Sequence, residues 1–395
     1  MIFKIKRIRG GVKVENNAVR FKKVFILAGA VCAYWIGAGF STGQEVLQFF
    51  AVNGINGIWA ALLCCVLTCA FSFTLWNAGQ REKFENPYDV FPYYCGKYLG
   101  QIYIWFSVVL SYGIFVVMMA GGGATIHQYF GIPTYLGTGF IGILSLITVL
   151  LGVNKLINII GVIGPIKILF VMVIGLAALV SAIGMPVLLT EGDALMPTLG
   201  FQSASGNWAW SGALYAFLAL MMSTPFQVTC GQQSANKREA RVGAVAGGIM
   251  FTIAIVFLVL AEIVYHELIV GQQVPTLAIA NYVSPILGLL FSLIIVLCIY
   301  SAVASVLLMV VRKFAVDKTK KFNGIALILT GIGMFFGSII PFDRLVNLLF
   351  PITGYAAILF AVLMFVKEAS MKNKSSAGIK DLSGKTDFNN QAGLE

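Results

Sequence analysis

The run Ile36-Gly37-Ala38-Gly39-Phe40-Ser41-Thr42-Gly43-Gln44-Glu45 lies inside the first long apolar stretch of the chain, residues 24–52. A helix that crosses a bilayer needs about 20 mostly apolar residues. Three glycines within seven residues, followed by hydroxyls and a carboxylate, make a poor lipid-facing helix. Unwound backbone at mid-membrane depth is tolerated only where protein or a cavity surrounds it. The run therefore predicts a broken helix turned toward an internal site.

The rest of the chain fits that reading. Of 395 residues, 59% are hydrophobic and 11% charged, where a soluble domain has about 45–50% and about 25%. So little charge cannot cover a soluble protein of this size, which excludes a water-soluble enzyme. Apolar runs long enough to span are centred on 24–52, 55–77, 98–122, 134–152, 157–184, 207–231, 242–264, 282–311, 322–341 and 344–366. Alternate connections between them (1–23, 78–97, 153–156, 232–241, 312–321 and 367–395) hold 25 of the 27 Lys and Arg residues. The opposite connections hold only Arg344, and Lys167 lies within a run. That asymmetry predicts ten helices with both ends in the cytoplasm. The net charge of +11 then reflects basic cytoplasmic loops and does not call for a nucleic-acid partner.

The expected organisation is a basic segment at 1–23, five helices over 24–184, an outer loop at 185–206, five more helices over 207–366, and a polar, disordered tail at 367–395. The late, long first apolar run is not that of a cleavable signal peptide. The seven cysteines are expected reduced. No metal or cofactor is expected, because Cys64, Cys65 and Cys69 have no histidine or carboxylate nearby in sequence. The oligomeric state is open.

The sixth run contains Met221-Met222-Ser223-Thr224-Pro225-Phe226-Gln227. Proline removes a backbone donor and disfavours helix at the residue before it. Runs 1 and 6 each open a set of five, and an odd number inverts the second set in the membrane. Breaks at matching positions of inverted halves point to a transporter's midplane site. The predicted fold is an all-α membrane protein with a 5+5 inverted repeat and helices 1 and 6 interrupted. Freed amides at Thr42–Glu45 and around Gln227 suit an anion, and carbonyls near Gly37–Gly39 and Leu220–Ser223 suit a cation. A zwitterion fits both, so an amino acid is the expected small-molecule ligand. The candidate binding residues are Gly37, Gly39, Ser41, Thr42, Gly43, Gln44, Tyr112, Ser223, Thr224 and Gln227.

Two ionisable groups are expected near mid-membrane, where charge is costly and usually functional. Lys167 lies about ten residues, roughly 15 Å, into its run and is the candidate proton carrier; a permanently paired lysine is the alternative. Glu45 follows Thr42 at capping-box spacing, so it either caps a half-helix or takes part in coupling. A carboxylate there would repel a substrate carboxylate, which keeps an amine substrate open. Glu262 is expected at the outer end of its helix, in reach of water. Ser301 and Ser305, one turn apart, are candidates for a sodium site, or bond to their own helix.

Through Ile36–Glu45 with Gln48-Phe49-Phe50, the chain resembles the YkvI family of bacterial membrane proteins, a branch similar to the amino acid–polyamine–organocation transporters of LeuT-like fold. The resemblance implies that the breaks in helices 1 and 6 form the substrate site, with Tyr112 near the ligand. It further implies that helices 1, 2, 6 and 7 rock against 3, 4, 8 and 9, in a bacterial cell membrane. Ser301 and Ser305 match the sodium site of such relatives incompletely. Lys167 looks like the lysine of sodium-independent relatives. The expected function is proton-coupled secondary transport of an amino acid; sodium symport of an amine and a transporter-derived sensor are the alternatives. An intramembrane enzyme is not expected, because His127 and His266, the only histidines, fall in different connections.

Overall fold

A computed structural model describes residues 19–151 and 186–391, the backbone of 4–8 and 11–15, and isolated helical positions between 169 and 183. The first expected span is broken into α1 (Phe21–Trp35), α2 (Ala38–Ser41) and α3 (Gln44–Phe49). Then come α4 (Asn56–Glu82), α5 (Val90–Phe130) and α6 (Thr134–Leu151). Most of the expected fifth span, Lys167 included, lies outside the described residues. After a short α7 (Pro186–Leu195) follow α8 (Trp208–Gln233), α9 (Lys237–Val264), α10 (His266–Ile269) and α11 (Pro275–Val283). The chain ends in α12 (Pro285–Arg312), α13 (Lys320–Ile339) and α14 (Phe342–Gln391). Among the described residues, eight helices are long and apolar enough to cross a membrane.

Two features depart from the expectation. The N-terminal segment carries an antiparallel hairpin, β1 (Lys4–Ile8) with β2 (Gly11–Glu15), so the chain is not wholly helical. The alternation of Val12 and Val14 with Lys13 and Glu15 in β2 is strand patterning. At the other end, α14 carries helical backbone to Gln391, through the tail whose composition predicts disorder. No proline follows Pro351 to stop it.

The helices sort into two packed sets. In one, α4 lies against α8 and α9, and α1 lies against α8 and α9. In the other, α5 and α6 pack on each other and on α12 and α13. The last helix, α14, touches both sets through α5 and α8. A cap from Asn207 starts α8 by accepting the Ala209 and Trp210 amides, and Asn236 does the same for α9 at Glu239. At that end of α9 the buried Glu239 carboxylate meets Arg20, just before α1, at 2.7 Å. This ion pair pins the start of the first span to the start of α9.

Small residues set the closest crossing. A methyl built on Gly212 would run into the Ala60 backbone, one on Gly231 into Trp76, and one on Gly79 into Val228. Lipid supplies no hydrophobic drive between helices, so such close backbone contact does much of the joining. Gly231→Val is expected to lower stability by about 2 kcal/mol or more by overpacking this seam. Gly324→Ala, at a helical position with open space around it, is expected to be neutral or stabilising by up to about 1 kcal/mol. Thermal unfolding of the two variants in detergent checks the contrast.

Candidate functional site

The break in the first span is held by hydrogen bonds that replace a helix ladder. α1 ends as Ile36 leaves helical geometry, and α2 begins its own ladder with the Ser41 amide on the Gly37 carbonyl at 3.0 Å. The Ser41 hydroxyl donates to the same Gly37 oxygen at 2.9 Å, and the Thr42 hydroxyl donates to the Gly39 carbonyl at 2.7 Å. Gly43 turns the chain with φ +85°, a left-handed conformation that glycine adopts without steric cost. Across the turn, Thr276 of α11 donates from its hydroxyl to the Ser41 carbonyl at 2.7 Å and from its amide to the Thr42 carbonyl at 3.1 Å. The Gly43 amide is spent on Phe40 at 3.0 Å, so it is not one of the free anion donors expected at Thr42–Glu45.

Beside this break lies a cavity between the two helix sets. Gly37, Gly39, Glu45, Tyr34 and Trp35 face it from the broken span. Tyr215 and Met222 of α8, Phe251 of α9, Met118 of α5 and Phe350 of α14 complete much of its wall. Among the described lining residues, Glu45 is the one charged group. Its carboxylate folds back over Gly39, where a methyl would collide with it. Oε2 accepts the Tyr215 hydroxyl at 2.7 Å. The result is one carboxylate in an aromatic and aliphatic enclosure, a setting that suits a cation with an apolar body.

The other expected site residues are distributed differently. α8 is not interrupted: it runs as one helix through Met221–Gln227 with Pro225 inside it. Side chains satisfy the polar groups there. Ser223 and Thr224 donate to the Ala219 and Leu220 carbonyls at 2.5 and 2.6 Å, and the Tyr34 hydroxyl reaches the Met222 carbonyl at 3.0 Å. Trp35 Nε1 and Gln227 Nε2 both donate to the Ser223 hydroxyl, at 3.0 and 2.8 Å, tying α1 to α8. Buried oxygens of Gln44 and Gln227 have no hydrogen-bond partner, and neither residue lines the cavity.

Tyr112 does not face the cavity. Its hydroxyl donates to the Leu329 carbonyl of α13 at 2.9 Å and its ring stacks on Phe115, so Ile114, Val117 and Met118 take the lining role on α5. Ser301 and Ser305 donate to the Cys298 and Ser301 carbonyls of their own helix at 2.9 and 2.6 Å, and neither lines the cavity. Glu262, expected in reach of water, has no exposed surface. The outer segments that follow it in sequence, α10 and α11, pack back onto α9. Lys167 lies outside the described residues.

The aromatic wall of Tyr34, Trp35, Tyr215 and Phe251 was missed in the sequence because aromatic residues are spread through every apolar run. Only spacing relative to the break marks Tyr34 and Trp35. Tyr215→Phe removes the donor to Glu45 and is expected to cost about 1–3 kcal/mol of stability. The same change made on a Glu45→Gln background is expected to cost less, and a thermal-unfolding double-mutant cycle measures the difference.

No family model matches the chain. It is 22% identical over 348 residues to the uncharacterized membrane protein YkvI of Bacillus subtilis, which covers 87% of this chain and 95% of that one. It is 24% identical over 290 residues to the uncharacterized protein YyaD of the same organism, covering 69% and 76%. The crystal structure of MhsT in complex with L-phenylalanine superposes with a TM-score of 0.54 at 15% identity, covering 87% of this chain and 89% of that one. The chain is thus a membrane protein homologous to YkvI and YyaD, with a fold like that of MhsT.

Proposed function

We propose that the protein is a secondary active transporter that carries a small organic solute across the cell membrane by alternating access. The observation that carries this reading is the cavity at the broken first span, lined by Glu45 and an aromatic wall between two helix sets. A site at the seam of two rigid bodies can face either side of the membrane as one body rocks on the other. The likeness to MhsT supports the same architecture, in which ten helices form a 5+5 inverted repeat with both ends in the cytoplasm.

The solute is an amino acid whose ammonium group meets Glu45. Its apolar part lies among Trp35, Phe251 and Met118. The structure of MhsT holding L-phenylalanine is in keeping with a ligand of this class. A simple amine is the second reading, favoured by one observation: no cationic side chain lines the cavity among the described residues. Coupling is to protons, with Lys167 as the carrier; sodium coupling through Ser301 and Ser305 is the rival.

Currents from proteoliposomes on a solid-supported membrane test these points with an amino-acid and amine panel, under separate proton and sodium gradients. A charge-assisted hydrogen bond contributes about 1.5–3 kcal/mol, so Glu45→Gln should weaken apparent affinity about 10- to 100-fold. Proton-driven current without sodium should vanish in Lys167→Ala. Sodium-dependent current that survives Lys167→Ala would sink proton coupling through that lysine. Silence across the panel, repeated with labelled solutes to detect electroneutral exchange, would favour the sensor.

A further inference from the structure

A further buried carboxyl sits on the opposite flank of the same break. Glu262, in the last turn of α9, has no exposed surface, and neither carboxyl oxygen has a hydrogen-bond partner. Its Oε1 is packed directly on the left-handed turn: a methyl built on Gly43 would lie 2.6 Å from it and 2.9 Å from Cγ2 of Thr276. Three elements therefore close over one carboxyl: α9, the α2–α3 turn and α11.

Among the described residues, no neighbouring element provides a counter-charge. Around α9 pack α1, α3, α4, α7, α10 and α11. From α3 the charged group is Glu45, held by Tyr215. From α7 come Glu191 and Asp193, and Asp193 is engaged by the Ile55 amide at 2.6 Å. From α10 come Glu267 and His266, whose Nδ1 lies 3.0 Å from the Ile263 carbonyl. On α11 the titratable side chain is Tyr282, packed on Tyr265. The cations of α1 and α4 (Lys22, Lys23 and Arg81) are at the other end of those helices. No Lys, Arg or His lies within ion-pair distance of Glu262 among the described residues.

An ionised carboxylate so placed costs several kcal/mol, and a proton removes that cost. A sodium ion would need a shell of oxygens, yet the nearby Ser41 and Thr42 carbonyls already accept from Thr276. We propose that Glu262 is a proton-binding site, loaded while Gly43 and Thr276 close over it and emptied when that junction opens to water. The proton arrives from water on the carboxylate and leaves to water; no other bond changes. The site deepens the transport reading and rests on it for its purpose, but its occupancy is readable without any solute.

Infrared spectroscopy of the full chain in lipid provides the test, through the carbonyl stretch of a protonated carboxylic acid and its shift in D2O. Wild type at neutral pH should show the band, Glu45→Gln should keep it, and Glu262→Gln should lose it. Thr276→Val, which removes the clasp on Ser41, should make the band titrate away at lower pH than in wild type. Should Glu262→Gln fail to fold, Glu262→Asp, which keeps the carboxyl and shifts the frequency of its band, assigns the band instead. Absence of the band in wild type, or its survival in Glu262→Gln, overturns the proposal. So does a sodium-dependent rise in melting temperature that Glu262→Gln abolishes, since that marks a cation site. A band with no transport of any panel solute would fell the transport reading alone; transport without the band would fell the proton site alone.

Discussion

Inside a bilayer every backbone N–H and C=O must find a partner within the protein, and the first span of this chain leaves its helix in the middle. That is possible only because side chains stand in for the missing ladder. Ser41 and Thr42 turn their hydroxyls back onto Gly37 and Gly39, and Thr276 reaches in from α11 to hold the Ser41 and Thr42 carbonyls. The motif is thus two devices at once. Its glycines let the chain turn and let Glu45 and Glu262 approach the backbone, while its hydroxyls satisfy what the turn exposes. α11 is not decoration over the site, since without it two carbonyls of the break would face no donor.

The same requirement explains why α8 stays whole. Pro225 cannot donate to the Met221 carbonyl, the local defect that predicts a break. That is a single lost bond in a helix otherwise tied by Ser223, Thr224 and Thr229, which bond back along it, and by Tyr34, which donates to the Met222 carbonyl. A broken span needs a run of such defects. Three glycines in seven residues amount to one, and one proline flanked by hydroxyl residues does not. Matching positions in the two halves thus do not carry matching breaks: α1 and α8 meet at Ser223, and only the first is interrupted.

The long membrane-length helices were legible because hydrophobic length is a one-dimensional signal. The break at Gly37–Gly43 was legible for the same reason: it is local. What could not be read was direction around a helix axis. Tyr112 is at the right depth but turns toward α13, while Ile114, Val117 and Met118 on the same helix face the cavity. Glu262 is in the last turn of its helix, yet α10 and α11 fold back over that end of α9, and only tertiary packing decides whether a helix end meets water. The hairpin at Lys4–Glu15 escaped notice because its strand pattern is five residues long and sits in a run dominated by charge.

Glu45 and Glu262 rest on one short stretch of backbone, Gly39 to Gly43, from opposite sides. Glu45 faces the cavity; Glu262 faces the cap. Neither can keep its place if that stretch rotates, because each is packed against a glycine that leaves no room for a side chain. An ammonium group at Glu45 and a proton at Glu262 would therefore both favour the arrangement in which the turn is closed. Two ligands that favour the same state strengthen each other's binding by the same factor, a reciprocity that follows from linkage and needs no direct contact between them. Linkage of the solute to the proton at Glu262, beside the transfer assigned to Lys167, would then require no wire across the protein. It would require only that the turn at Gly43 be the one element whose position both sites share, and that opening it expose both carboxylates to water together.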